Sequence, residues 1–274
     1  MTQSATELDL ASVDLFADEV LLDPYPLFTA LRELAPAVYL PRNDLWVLTR
    51  YDVIRAAFRD WQNFSSAKVA FNDDMNNALK GTSLTADPPE HTPLRSTLMR
   101  PLTVSALKKL EDDITAKADQ VVGELVERGS FDAISDLAMS LPLQVVADMI
   151  GLQGQARENV LRWGHAAFNV LGPANPRTFE NFPVAGELFG WVSQLTPDQL
   201  AEGSVGRSVF EAQDRGDIPV GSANKIIHQY VAAGMDTTIS SIGHAINLLG
   251  QNPDQYAILR EDPSLVISTF NEVL

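Results

Sequence analysis

The segment from Ser222 to Leu249 is apolar nearly all round: Ile226, Ile227, Tyr230, Val231, Ile239, Ile242, Ile246 and Leu248 fall on every face of a 3.6-residue helix. Such a helix, about 28 residues or roughly 42 Å long with Ser222 as its N-cap, has no face to offer water and must be mostly buried. Its middle opposes it. In Ala233-Gly234-Met235-Asp236-Thr237-Thr238 the glycine costs roughly 1 kcal/mol relative to Ala, and the β-branched pair adds a smaller penalty. Where local propensity and global pattern conflict, function is the usual reason. A thinned wall beside an acid and a hydroxyl suits a cavity in which a small molecule is protonated. The structural alternative is that Gly234 admits a close neighbour while Asp236 and Thr237 satisfy each other or the backbone. A buried Asp is expensive unless paired or used.

With 274 residues, 45% hydrophobic and 20% charged, the chain can bury a large core. Its formal charge of −16 repels nucleic acid and anionic membrane surfaces, so neither is an expected partner. No apolar run approaches the roughly 20 residues of a membrane span, and Met1 to Phe16 is acidic where a signal peptide is basic and then apolar. A cytoplasmic enzyme is the expectation. The absence of Cys excludes disulfides, thiolate nucleophiles and Cys-ligated zinc within these residues. His91, His165, His228 and His244 form no H-x-x-x-H pair, so no protein-built metal site is expected.

Along the chain, Asp23-Pro24 opens a short helix to about Glu33. Val38 to Leu40 and Leu45 to Thr49 read as a hairpin across Pro41-Arg42-Asn43-Asp44. Tyr51 to Trp61 is helical, and Ser65 to Ala86 reads as a long loop, the kind that is usually functional or mobile. Helices are expected over Val104 to Gly129, with Asp113 and Lys117 paired one turn apart, and over Ala133 to Ile150, Gln155 to Leu171 and Thr178 to Leu195. Pro142 and Pro183 break or kink two of these. Asn252-Pro253 stops the central helix, a short helix runs to Glu261, and Pro263 begins another. The pattern is one continuous, mostly helical domain with a small β element.

Asp87-Pro88-Pro89-Glu90 has capping-box spacing, with Pro93 delaying the regular helix, and His91 and Arg95 share a face beyond it. Two cationic donors one turn apart are suited to carboxylates, although an isolated pair also reads as a solvated basic face. Asp73-Asp74-Met75-Asn76-Asn77 invites comparison with the magnesium motif of all-helical isoprenoid synthases, but Asn stands at the third ligand position. No dinucleotide, phosphate-loop or serine-hydrolase motif occurs.

Three motifs, Leu22-Asp23-Pro24-Tyr25-Pro26, Ala86-Asp87-Pro88-Pro89-Glu90-His91-Thr92 and Ala232-Ala233-Gly234-Met235-Asp236-Thr237-Thr238, together resemble the bacterial soluble class of cytochrome P-450, the haem-thiolate monooxygenases. Phe131-Asp132-Ala133-Ile134 and Phe168-Asn169-Val170-Leu171-Gly172-Pro173 look like the branch that O-demethylates small methoxylated aromatics. The resemblance implies a mainly α cytochrome P-450 fold, with residues 1–274 forming the N-terminal and central helical part of a single catalytic domain. The family's haem-ligating Cys lies in a C-terminal region absent here, and Phe270-Asn271-Glu272-Val273-Leu274 stops one residue short of the Arg of the family's E-x-x-R pair. A truncated chain is therefore expected, with no metal ligand of its own and no oxygenation by itself; the functional reading concerns the parent enzyme.

The cofactor so implied is haem b, iron protoporphyrin IX, whose axial thiolate promotes O–O cleavage. Gly234 and Ala233 would leave a groove for O2, Thr237 and Asp236 would hold water and relay protons, and His91 and Arg95 would hold the propionates. Val69, Phe71, Phe168 and Ala233 would line the substrate pocket. Lys68 and His228 are candidates to anchor an anion, but no Arg lies between Phe64 and Leu84. The expected substrate is a small hydrophobic, neutral aryl ether, oxidised at its methyl group to a hemiacetal that sheds formaldehyde. Electrons would come from a ferredoxin or flavodoxin-type donor with its reductase, docking at Arg100, Lys108 and Lys109 unless these are only a solvated helix end. The rival functions are a non-catalytic helical ligand-binding module and the magnesium-dependent synthase.

Overall fold

The computed structural model describes residues 8–108 and 110–274. Helices α1 (Asp18–Leu22) and α2 (Tyr25–Leu34) precede the antiparallel strands β1 (Ala37–Leu40) and β2 (Leu45–Leu48), which pair Ala37 with Leu48 and Leu40 with Leu45. Asp44 takes the turn at φ 50°, and its carboxylate accepts from the Tyr39 hydroxyl at 2.6 Å. Val13, Leu31, Val38 and Leu40 close a small core here. Helix α3 (Tyr51–Ala57) ends four residues before the expected Trp61.

The segment 65–86 is not structureless. Asn72 caps α4 (Asp73–Ala78) by accepting from Met75 N at 2.9 Å, and Asn76 binds Val69 N, Ala70 N and Ala70 O through one buried side chain. Local side-chain bonding of this kind stands in for periodicity, which is why the apolar pattern does not reveal it. After α5 (His91–Met99), the expected long helix divides into α6 (Val104–Leu107) and α7 (Glu111–Arg128) around a turn that includes Lys108 and Leu110. Lys117 pairs with Asp113, and also with Asp148 at 3.3 Å.

Asp132 caps a π-helical turn, Ala133–Ala138, that leads into α8 (Ser140–Ile150). Against the expectation of no such run, Ala133 to Ile150 is long and apolar enough to cross a membrane by length and composition. It is interrupted at Met139, however, and sends Ala138, Val146, Ala147 and Ile150 into the core. Pro142 lies in the first turn of α8, where the missing N–H costs little. Helices α9 (Gly154–Asn169), α10 (Pro176–Gln194, with Pro183 inside it) and α11 (Val205–Asp214) surround α12 (Ser222–Ala233). The Gln213 side chain accepts from Gly221 N at 2.7 Å and Ala223 N at 3.2 Å, so the cap of α12 comes from α11 and Gly221 at φ 82°, not from Ser222.

The central helix is two helices. Helix α12 ends at Ala233, Gly234 and Met235 form a bend, and α13 (Asp236–Gln251) resumes. Helix α12 is buried from Ile226 to Val231, whereas only Ile239, Ser241 and Gly243 are buried in α13, and Leu248 is 44% exposed. The expectation of burial along the whole segment therefore holds for the first half alone, since the outer face of α13 meets few neighbours among the described residues. Helices α14 (Pro253–Glu261) and α15 (Val266–Val273) complete the chain, the latter packing back on α13.

Candidate functional site

A cavity of about 480 Å³ lies where the bend faces α5, α8, α9 and the 65–86 segment. Its walls are aliphatic and aromatic, with Val69, Leu79, Leu98, Val146 and Phe168 prominent, and Ala233, Gly234, Thr237 and Thr238 form the side given by the bend. The volume is that of a small-molecule site.

The bend follows from its residues. Met235 adopts φ −112°, ψ −57°, away from the helical well. The Thr237 hydroxyl donates to Ala233 O at 3.2 Å, and that of Thr238 lies 3.5 Å from Gly234 O, so side chains serve the carbonyls beside the break. Gly234 itself leaves no room: a Cβ there would lie 2.6 Å from Tyr230 O and 3.2 Å from a Val146 methyl. The propensity conflict visible in the sequence thus becomes an interrupted helix at a cavity wall.

Of the residues expected to act, Ala233, Gly234, Thr237, Arg95, Val69 and Phe168 all line this one cavity. Asp236 is not among the lining residues; its carboxylate, 20% exposed, lies 3.4 Å from His165 Nδ1 on α9. His91, half-buried at the start of α5, is also outside the lining, one turn from Arg95. Its neighbour Asp87 does not cap the helix through its side chain: the carboxylate accepts from the Ser65 hydroxyl and from Ser66 N at 2.9 Å, and these bonds hold its pKa below the usual value. Phe71 is outside the lining, half exposed and edge-on to Phe16 at 4.8 Å. Lys68 is at the surface with Asp73, 3.5 Å away, so the Asp73-Asp74 pair faces solvent. No group of three metal-ligating side chains converges among the described residues.

The sequence pattern does not expose the residues that hold the loop in place. The Asn72 amide donates to Val170 O at 2.8 Å and Gly172 O at 2.7 Å, tying α4 to the end of α9. Buried Ser83 donates to Gln229 Oε1 at 2.5 Å, joining the far end of the loop to α12. His228 also lines the cavity, 5% exposed and stacked on Phe189 at 4.6 Å, with burial lowering its pKa to about 4. The nearest sequence signal for these residues is the Asn-rich run after Phe71.

The interrupted helix thus sets its alanine, glycine and threonine along one side of an apolar cavity. No protein-family model matches the chain. It is 34% identical over 268 residues to cytochrome P450 CYP199A2 of Rhodopseudomonas palustris, covering 96% of this chain and 65% of the relative. It is 30% identical over 273 residues to the vitamin D(3) 25-hydroxylase of Pseudonocardia autotrophica, covering 95% and 66%. The chain thus spans just under two thirds of each. Among solved structures, cytochrome P450 CREJ in complex with (4-ethylphenyl) dihydrogen phosphate superposes with a TM-score of 0.78 at 25% identity, covering 92% of this chain and 67% of that one. The chain belongs to the cytochrome P450 family, and its fold is the mainly helical P450 fold with a small two-stranded sheet.

Haem b is the family's cofactor, and the residues present fit one side of it. Ala233 and Gly234 line the cavity beside the bend, the walls are apolar, and Arg95 is a cation at the lining. The chain has no Cys, so the thiolate side is not built from these residues.

Proposed function

We propose that this chain forms the oxygen- and substrate-binding part of a haem-dependent monooxygenase, cytoplasmic, that uses O2 and two electrons to hydroxylate or O-demethylate a small aromatic substrate. The observation that carries the reading is the bend at Gly234–Met235, which turns Ala233, Gly234 and Thr237 onto one apolar cavity. Haem b, when bound, supplies the iron at which O2 is reduced.

The chain's own residues then have distinct tasks. Gly234 and Ala233 keep bulk away from the wall where O2 would sit. The Thr237 hydroxyl, already donating to Ala233 O, can rotate to pass a proton into the cavity while its oxygen holds a water. Asp236, beside half-exposed His165, draws protons from the outer side of the same turn. Arg95, with His91 one turn earlier, would offset the charge of the propionates. Val69, Phe168 and Ala233 enclose the substrate, and Phe71 stands outside the lining beside Phe16. The apolar lining that Val69 and Phe168 give suits an aromatic ring, and the aryl phosphate bound by CREJ is a small aromatic ligand. Electrons come from a ferredoxin or flavodoxin-type donor with its reductase. Arg100, 3.8 Å from Asp217, and exposed Lys108 offer the cations for docking it; Lys109 lies outside the described residues.

Thr237→Ala tests the proton role. In the haem-loaded enzyme it should leave O2 consumption largely intact and divert the electrons to hydrogen peroxide. An unchanged ratio of product to O2 consumed would show that Thr237 has no such role.

A further inference from the structure

His228 presents an unmet requirement at the wall of the cavity. Neither ring nitrogen has a hydrogen-bond partner, and these are the buried side-chain polar atoms left without one among the described residues. A neutral imidazole carries one donor and one acceptor, and in an apolar setting each unmet group is costly. The neighbouring polar groups are already committed. Gln229 accepts from Ser83 and donates to Lys225 O at 3.3 Å, and the Lys225 ammonium donates to Lys80 O at 2.8 Å. Phe189 covers one face of the imidazole. The ring lines the cavity while its nitrogens are shielded, so a ligand engages one of them as the ring turns about its Cβ–Cγ bond, a torsion with broad minima.

We propose that His228 anchors a neutral hydrogen-bonding group, a phenolic or alcoholic hydroxyl, on the end of the substrate remote from Thr237, so that the substrate class is a hydroxylated aryl ether and not an aryl carboxylate. This rests on the cavity being the substrate site proposed above. His228 lies on α12 before the bend and Thr237 on α13 beyond it, and both line the cavity, which leaves room between them for a ring with substituents at opposite ends. Burial keeps the imidazole uncharged at neutral pH, so it offers a carboxylate no countercharge, and an unpaired carboxylate is costly to bury. The cation at the lining, Arg95, stands on α5 and is committed to the propionates in the reading above.

The test is calorimetric binding of 4-methoxyphenol, 4-methylanisole and 4-methoxybenzoate to the haem-loaded protein and to the 274-residue chain. The nitrogen chemical shifts of the His228 ring are followed in parallel. Wild type should bind the phenol at least about tenfold more tightly than its methyl analogue, with the His228 nitrogens shifting on binding. His228→Phe, which keeps a ring against Phe189, should bring the two affinities together without weakening 4-methylanisole. If that variant loses 4-methylanisole as well, His228→Asn decides, since it restores a donor and an acceptor and should recover part of the preference. Equal binding of phenol and methyl analogue by wild type, an undiminished preference in both variants, or tightest binding of the benzoate would each overturn the proposal. Absence of the reduced carbon-monoxide Soret band would sink the monooxygenase reading alone, because the binding comparison on the chain does not depend on it.

Discussion

Substituting Gly234 by Ala sets two known effects against each other at one atom. Gly234 has φ −77° and ψ −18°, open to any residue, so glycine is not needed there for its backbone freedom. Helix propensity alone would reward Ala by about 0.8–1 kcal/mol. Space opposes it: the new Cβ would stand 2.6 Å from Tyr230 O, and that carbonyl is fixed by accepting from Gly234 N at 3.0 Å, while a Val146 methyl stands at 3.2 Å. Relieving such a clash by backbone movement costs about 1–3 kcal/mol. The net expectation is a loss of up to about 2 kcal/mol, or several degrees in Tm at roughly 2–4 °C per kcal/mol for a chain approaching this size. Gly123 supplies the control. It lies exposed within α7 with nothing within 4 Å of an added Cβ, so Gly123→Ala should gain up to about 1 kcal/mol. Urea titration of the two variants beside wild type gives the comparison directly. If Gly234→Ala stabilised the protein as Gly123→Ala does, the close approach at the bend would not be what demands glycine.

The remaining expectations concern pH and the loop. Unfolded His228 takes a proton near pH 6.5 and the folded form refuses it until about pH 4. Stability should therefore fall as the pH is lowered through that window, by up to about 3 kcal/mol, and His228→Phe should flatten that part of a urea-midpoint profile; an identical profile in the variant would remove His228 as the cause. The carboxylates held below their ordinary values, such as Asp14 and Asp87, lose their contribution only at lower pH, so the two effects separate. Asn72→Ala removes both the cap of α4 and its tether to Val170 and Gly172, which should cost about 1–3 kcal/mol and speed proteolytic nicking between Ser65 and Ala86. Unaltered nicking would mean that the segment is held by its apolar contacts instead.

Much of the fold was legible because burial imposes period. The hairpin across Pro41 to Asp44, the helices α8 to α10 and the buried helix α12 follow from apolar spacing and turn residues, and the cavity side of the site follows from a single propensity conflict. What escaped was set by side-chain-to-backbone hydrogen bonds. The cap of α12 comes from Gln213, nine residues before Ser222, and α4 is held by Asn72, which caps it, and by Asn76, which bonds the backbone of Val69 and Ala70 before it. The division of Ser222–Leu249 was foreshadowed by Gly234 and Thr237, but apolar periodicity counts side chains and is blind to a backbone that bends between two helices sharing one axis pattern. The family resemblance named Phe71 as a pocket residue. In the structure it stands outside the lining, half exposed and edge-on to Phe16.

Asp236 and Thr237 are neighbours in sequence, and the geometry of a helix keeps them from sharing a direction, since successive residues point about 100° apart. Thr237 takes the cavity side and Asp236 takes the side of α9, where His165, 53% exposed, stands at the boundary with water. On the function proposed above, a proton bound for the cavity would arrive by way of His165 and the carboxylate and pass across the first turn of α13 to the hydroxyl. The bend adds that the hydroxyls of Thr237 and Thr238 serve the carbonyls of Ala233 and Gly234 beside the break, while α13 resumes with Thr237 on the cavity and Asp236 beside His165.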